Sequence, residues 1–238
     1  MKLALFGHGG MGRVFAHYAR VGGHEIGVVL TSGDARRDTD ELVALLHDHD
    51  AAVDFSVADA VLSHATACAR AGAPLIEGTT GWREQEPAVR RAVEDAGGAL
   101  VYGANFSVGV NLFYRLVARA GELFSGAAGY DAFIEEAHHA RKRDAPSGTA
   151  VRLRDMLARS PGRSVSIAST RAGSIPGTHR VGFDSPADQI TLEHAARSRD
   201  GFAAGALLAA RWLVGRRGVF AFDEVLDDML AILKQKGD

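Results

Sequence analysis

With 238 residues, 47% of them hydrophobic and 24% charged, the sequence has an ordinary soluble composition and enough chain for two modest domains. Lys and Arg total 27 against 29 Asp and Glu, a formal net charge of −2, so neither nucleic acid nor an anionic membrane is an expected partner. No uncharged run approaches the roughly 18 residues of a membrane span, no secretory pattern precedes the first strand, and the lone Cys68 excludes an internal disulfide, so a cytoplasmic protein is expected.

Lys2 to Phe6 reads as a short apolar strand, Gly7 to Gly12 as a glycine-dense turn, and Arg13 to Val21 as a helix with apolar residues at helical spacing. Strands then follow at Glu25 to Leu30, Ala52 to Phe55, Pro74 to Ile76 and Ala99 to Tyr102. Helices alternate with them at Asp40 to His47, Ala58 to Ala71 and Glu84 to Ala96. Cys68, in the run HATACARAG, falls on the buried face of the second of these helices and has a structural role. Repeated βα units mean a parallel sheet with helices on both faces. From about Val108 the pattern changes to a long helix over Val110 to Ala120, a strand at Tyr130 to Ala137, and a helix from Ser147 to Ala158. Strands near Val165 to Thr170, Gly177 to Phe183 and Asp188 to Ala195 come next, without helices between them. The chain closes with an apolar helix, Phe202 to Val214, and an amphipathic one, Asp223 to Leu233. The expected fold class is α/β: a Rossmann-like parallel sheet from residues 1–107 and 215–238, and an α+β mixed-sheet domain over 108–214.

Gly7, Gly9 and Gly12 match G-x-G-x-x-G in the context that motif needs, directly after a strand and opening a helix. The three glycines allow a tight turn, approach of a pyrophosphate to backbone, and close helix packing, while the helix N-terminus offers N–H groups to phosphate. A dinucleotide site over Gly7, His8, Gly9, Gly10, Met11 and Gly12 is the reading. The acid that usually ends the second strand and bonds the ribose is replaced by Thr31 and Ser32, with Asp34, Arg36 and Arg37 beyond; hydroxyls and nearby arginines suit a 2′-phosphate better than a carboxylate would, so the expectation leans to NADPH or to dual use, with NADH left open. Two further turns of small and hydroxyl residues follow later strands, Gly78-Thr79-Thr80-Gly81 and Ala104-Asn105-Phe106-Ser107. These suit a nicotinamide ribose and carboxamide.

The densest chemistry is EEAHHARKRDAPSGTA, Glu135 to Ala150. It sets His138, His139, Arg141, Lys142 and Arg143 at a strand end, then Asp144, Pro146 and Ser147 as helix-start signals, with Gly148 and Thr149 in the first helical turn. An imidazole there can move a proton near neutral pH, and Lys142 can protonate or stabilise developing negative charge. The cations and helix N–H groups imply a substrate bearing carboxylates. Glu135 and Glu136 lie near enough to complete a metal site, but no ligand spacing such as H-E-x-x-H occurs, and no metal is expected.

Taken together, GHGGMGR at the start, VDFS at Val53, EGTTG at Glu77, ANFSVGVNL at Ala104, EAHHARKRDAPSGTA at Glu136 and RAGSIPGTH at Arg171 resemble the 4-hydroxy-tetrahydrodipicolinate (dihydrodipicolinate) reductase family of the diaminopimelate route to lysine. The resemblance implies a Rossmann-like domain, a mixed-sheet domain that also assembles a homotetramer, and NAD(P)H-dependent reduction of a small cyclic dicarboxylate. It further implies His138 as proton donor or acceptor, Lys142 as proton donor, and His139, Gly148 and Thr149 as substrate-binding. Cofactor contacts would come from Gly7 to Gly12, Gly78 to Thr80 and Ala104 to Ser107. The chain departs from the family at Thr31 and Ser32 and in short connections between Thr31 and Ala51 and between Ala158 and Ser164. An imine, aldehyde or sugar reductase on the same scaffold would keep the glycine turn without needing the paired histidines and Lys142. A nucleotide-sensing regulator would need no acid/base residues at all.

Overall fold

The computed structural model describes residues 1–34, 37–127, 129–158 and 164–235, the side chains of 233–235 excepted. In chain order the elements are β1 (Lys2–Phe6), α1 (Gly10–Val21), β2 (Glu25–Leu30), α2 (Thr39–Leu46), β3 (Ala51–Asp54), α3 (Val61–Ala71), β4 (Leu75–Glu77), α4 (Glu86–Asp95) and β5 (Ala99–Tyr102). There follow α5 (Val108–Ser125), β6 (Asp131–His138), α6 (Gly148–Leu157), β7 (Ser166–Arg171), β8 (Thr178–Asp184), β9 (Gln189–Ala195), α7 (Asp200–Leu213), β10 (Gly218–Ala221) and α8 (Phe222–Gln235). They form two compact units, Met1–Val108 with Asp200–Asp238, and Gly109–Arg199.

The first unit is a six-stranded sheet in the order β10-β5-β4-β3-β1-β2 with every pair parallel. Its central strands read as continuous apolar runs because both faces are covered, and alternate residues go to opposite sides. Leu3 and Leu5 pack with α1, α7 and α8, whereas Ala4 and Phe6 pack with α2, α3 and α4. Cys68 lies fully inside the second of these layers, as its helix pattern suggested. The strand order reverses between β1 and β3, and ligands of such sheets bind at the carboxyl ends around that switch point. The glycine turn after β1 is therefore in the expected position.

The sequence boundary at residue 214 is corrected to 199. Helix α7 belongs to the first unit: Ala203, Ala206, Ala209, Ala210 and Leu213 are fully buried in one layer with Leu3, Leu5, Ala16 and Ala19. Small residues let it approach closely, and a Cβ on Gly205 would fall 1.6 Å from the Phe106 carbonyl oxygen. Strand β10, four half-buried residues pairing with β5, has no separate sequence expectation; its brevity and the helix that follows at once hide it.

The second unit is a mixed sheet in the order β7-β6-β8-β9, with β6 and β7 parallel and the other pairs antiparallel. Along β6 burial alternates, so Ala132, Ile134, Glu136 and His138 share the face covered by α5 and α6, while Asp131 and Glu135 are exposed on the other. The covering helices contribute Val110, Phe113, Tyr114, Val117, Ala150, Leu153 and Leu157 to that core. The opposite face carries an ion-pair ladder, Arg180 lying 3.1 Å from Glu135 and 2.8 Å from Glu193.

Candidate active site

In the first unit the glycine turn is shaped by close backbone approach. Gly7 has φ 85° and a Cβ on it would meet the Phe55 carbonyl oxygen at 2.5 Å; one on Gly12 would meet the Gly7 carbonyl at 2.0 Å. Both glycines are thus required by the protein itself. Gly9 differs, because a Cβ there would meet nothing within 4 Å. It caps α1 without a side-chain hydrogen bond, and no acid occupies the first turn. An open glycine at an uncapped helix start, with first-turn N–H groups unscreened by carboxylate, fits a dinucleotide pyrophosphate. His8 and Gly10 are exposed and Met11 is partly buried against the core.

The turn after β4 is held by two buried acids. Thr79 donates its N–H to Glu77 Oε1 at 2.7 Å and its hydroxyl to Asp54 Oδ1 at 3.3 Å, and its carbonyl accepts from Trp82 Nε1 at 2.9 Å. The Thr79 side chain therefore builds the turn, leaving exposed Thr80 and partly exposed Gly78 as its accessible part. After β5, Ala104 is exposed, Asn105 caps Ser107 N–H at 2.9 Å, and the Phe106 ring lies in the core against Phe222, centroids 4.8 Å apart. Any ligand contact of Phe106 has to use backbone.

At the end of β2 a carboxylate returns. Asp34 Oδ2 accepts from the Thr31 N–H at 2.9 Å and hydroxyl at 3.2 Å, while Oδ1 pairs with Arg37 at 3.0 Å. These bonds, that of the Thr31 N–H first and those of Arg37 next, hold the Asp34 carboxyl below its ordinary value. The position read as lacking an acid has one, folded back from four residues down the chain of the strand end at Leu30. Arg37 is engaged by it; Arg36 and the connection 159–163 lie outside the described residues.

In the second unit the segment from Glu136 to Thr149 closes into one cluster. Glu136, fully buried, accepts a short hydrogen bond from His138 Nδ1 on Oε2. Its Oε1 accepts from Arg171 Nη2 at 2.6 Å and from the Ser147 N–H at 3.4 Å. Arg171 also donates to the Asp144 carbonyl at 2.6 Å, tying the loop to the sheet. Ser147 caps α6 by accepting the Ala150 N–H at 3.2 Å, and lies 3.1 Å from His179 Nε2. The Ser147 hydroxyl, one donor with two acceptor sites, can donate to His179 Nε2 or accept from it according to the imidazole tautomer.

Charge states follow from these contacts. Burial raises the Glu136 carboxyl, but Arg171, Ser169 and the His138 charge outweigh it and bring it down to about 2. Burial lowers the His138 imidazole, against the opposing pull of Glu136. His179 is lowered to about 4 by burial first and by the charge on His138 next. At neutral pH the cluster thus holds an ionised Glu136, neutral imidazoles and the Arg171 guanidinium. With Nδ1 held by Glu136, His138 has Nε2 left for any further partner. That atom lies against Gly177, where an added Cβ would stand 3.1 Å away. Lys142 is partly buried, its Nζ 2.8 Å from Asp144, and His139 is partly buried with its Nδ1 lacking a hydrogen-bond partner among the described residues. Gly148 is exposed and Thr149 partly so in the first turn of α6.

One ligand atom each from Glu136, His138 and His179 lie within 4.8 Å of one another, a grouping compatible in distance with a metal ion. Its donor atoms are already engaged by Arg171, Ser147 and one another, and a guanidinium stands where a second cation would add repulsion. The arrangement is better suited to holding a proton than a metal. Arg171 and His179 have no separate role in the sequence reading, although both stand in the motif RAGSIPGTH, and Glu136 is there only a possible metal ligand; the strand runs one residue further than Ala137, and its alternation sets Glu136 and His138 on one face.

Two family models match the chain: "Dihydrodipicolinate reductase, N-terminus" over residues 1–106 and "Dihydrodipicolinate reductase, C-terminus" over 109–226. A 4-hydroxy-tetrahydrodipicolinate reductase of Christiangramia forsetii is 33% identical over 241 residues, covering 96% of this chain and 99% of that protein. One from Laribacter hongkongensis is 37% identical over 226 residues, covering 86% and 83%. Among solved structures, dipicolinate-bound dihydrodipicolinate reductase from Paenisporosarcina sp. TG-14 shares the fold with a TM-score of 0.73 and 20% identity, over 93% of this chain and 97% of that one.

Proposed function

This chain belongs to the dihydrodipicolinate reductase family, and we propose that its Glu136–His138 cluster and glycine turn carry the reaction of that family. The protein is an NAD(P)H-dependent oxidoreductase that converts 4-hydroxy-tetrahydrodipicolinate to tetrahydrodipicolinate in lysine biosynthesis. By the formulae of substrate and product, two reducing electrons and two protons enter and the 4-hydroxyl oxygen leaves as water. The nicotinamide supplies the electron pair when bound.

The chain's own residues supply the rest. The Gly7–Gly12 turn with α1 binds pyrophosphate, and Gly78 to Thr80 and Ala104 to Ser107 line the remainder of the dinucleotide. His138 moves a proton at Nε2, its ring fixed by Glu136, and Lys142 leaves Asp144 to donate a proton or stabilise negative charge. His139 and the N–H and hydroxyl groups of Gly148 and Thr149 hold the substrate carboxylates; the dipicolinate bound by the Paenisporosarcina enzyme is a ligand of that class. The observation that carries this assignment is the closure of the Glu136-to-Ser147 segment into one buried hydrogen-bonded cluster with Arg171 and His179.

A homotetramer is part of the same proposal, supported by the uncovered sheet face bearing the Glu135–Arg180–Glu193 ladder, and sedimentation tests it. A cytoplasmic location is proposed because the dinucleotide and the dicarboxylate are both charged and do not cross membranes unaided. The decisive assay couples the protein to the preceding synthase with pyruvate and aspartate semialdehyde, in parallel with NADH and NADPH. Oxidation of neither cofactor would exclude the proposed roles.

A further inference from the structure

Phe6, Asp54, Glu77 and Tyr102 are ladder partners on four adjacent parallel strands, so their side chains point to the same face at the carboxyl edge of the sheet. Asp54 and Glu77 are both fully buried there, on strands spaced about 4.8 Å apart. Their surroundings are unequal. Asp54 receives the Ser56 N–H at 2.7 Å, the Thr79 hydroxyl at 3.3 Å and His64 Nδ1 at 2.6 Å, with the His64 ring stacked on Phe6. Glu77 receives the Thr79 N–H on Oε1, while its Oε2 is buried without a hydrogen-bond partner among the described residues.

A carboxylate with an orphaned buried oxygen beside a second carboxylate is costly, and a proton on Oε2 removes both the charge and the repulsion. The groups facing the pair are His64 and Cys68 on α3 and Tyr102 on β5, the last hydrogen-bonded to Glu86 of α4. Of these only His64 can become a cation, and it is committed to Asp54. We propose that Asp54 and Glu77 share one proton, carried on Glu77, and that this neutral carboxyl is a positioning residue for the cofactor turn Gly78–Gly81. The turn hangs from the pair through Thr79, which bonds Glu77 with its N–H and Asp54 with its hydroxyl. In keeping with this, burial and then the Asp54 charge push the Glu77 carboxyl well above the ordinary range.

The inference rests on the reading that this turn lines the dinucleotide site, and the experiment separates the two. Infrared spectra of the full chain near neutral pH should contain the C=O stretch of a protonated carboxyl that Glu77→Gln removes. Glu77→Gln should bind NADPH within about twofold of the parent, because its amide accepts from Thr79 and donates to Asp54, whereas Glu77→Leu, which strands the Thr79 N–H, should weaken binding by about tenfold. Absence of the band, or equal losses in the Gln and Leu variants, overturns the proposal. A band present in the parent, together with unchanged NADPH affinity in both Glu77→Leu and Gly78→Val, overturns the cofactor reading of the turn instead.

Discussion

Glu136 and His138 stand two residues apart on β6 and share its covered face, the buried carboxylate accepting the imidazole Nδ1–H while its other oxygen is held by Arg171. This fixes the ring tautomer and leaves Nε2 available for the proposed proton exchange, the same division of labour by which a carboxylate orients a general-base histidine in hydrolases. Glu136→Gln keeps the volume and removes the charge. Turnover should fall by about tenfold or more with cofactor affinity unchanged. Because the Glu136 charge raises the His138 imidazole against its burial, the His138 limb of the pH–rate profile should also move to lower pH. A limb that stays in place would show that another group titrates in catalysis.

Removal of the proposed proton-moving groups themselves should be more severe. His138→Gln and Lys142→Ala are each expected to lower kcat by at least about 100-fold while NADPH affinity, read by fluorescence titration, stays within about twofold. The separation arises because the cofactor-binding turns belong to the first unit and these side chains to the second. Unchanged turnover in both variants would refute the catalytic assignment.

The Glu136–Arg171 pair also makes an acid-stability prediction. The folded-state value of Glu136, about 2, is depressed from an ordinary 4.5, so its contribution is fully present above the ordinary value and is lost as pH falls through the folded one. Arg171→Ala leaves a buried carboxylate without its guanidinium and should destabilise the protein by about 3 kcal/mol at neutral pH. It should also flatten the stability loss between about pH 4.5 and about pH 2, since the depression that generates it is gone. Urea unfolding across that range measures both. A parent-like slope in the variant would place the pH dependence on other carboxylates.

Much of this site was legible because its determinants are local. The strand, turn and helix around Gly7 to Gly12 lie in one stretch of chain, and the two-residue period of β6 puts Glu136 and His138 together. The unit boundary was not local: α7 reads as generic apolar helix, and only its packing of Ala203, Ala206 and Ala210 against β1 and α1 assigns it to the first unit. Nor was the Asp54–Glu77 pair, since those acids lie far apart in sequence and become neighbours through β3–β4 register. The turn chemistry of Thr79 and Phe106 predicts ligand contacts without saying which of their atoms are available. The hydroxyl of the first faces Asp54 and the ring of the second faces the core, which no turn signature reveals.

The fold-back of Asp34 bears on the choice between NADH and NADPH. Its carboxylate is anchored at the end of β2 by the Thr31 N–H and hydroxyl and neutralises Arg37 at 3.0 Å. An acid at this edge of a dinucleotide-binding sheet bonds ribose hydroxyls and repels a 2′-phosphate, while an arginine released there attracts it. Both effects are therefore expected to favour NADH in the parent, against the NADPH leaning drawn from the sequence. Asp34→Ala abolishes the repulsion and frees Arg37 at once, so the NADPH-to-NADH ratio of kcat/KM should rise by about tenfold. Arg37→Ala in the same background should reverse most of that rise, because the gain then has no cation behind it. Steady-state kinetics with both cofactors on the single and double variants provide the test. A ratio unmoved by Asp34→Ala would mean that the adenosine ribose is read elsewhere, and a rise that survives Arg37→Ala would assign the effect to lost repulsion alone.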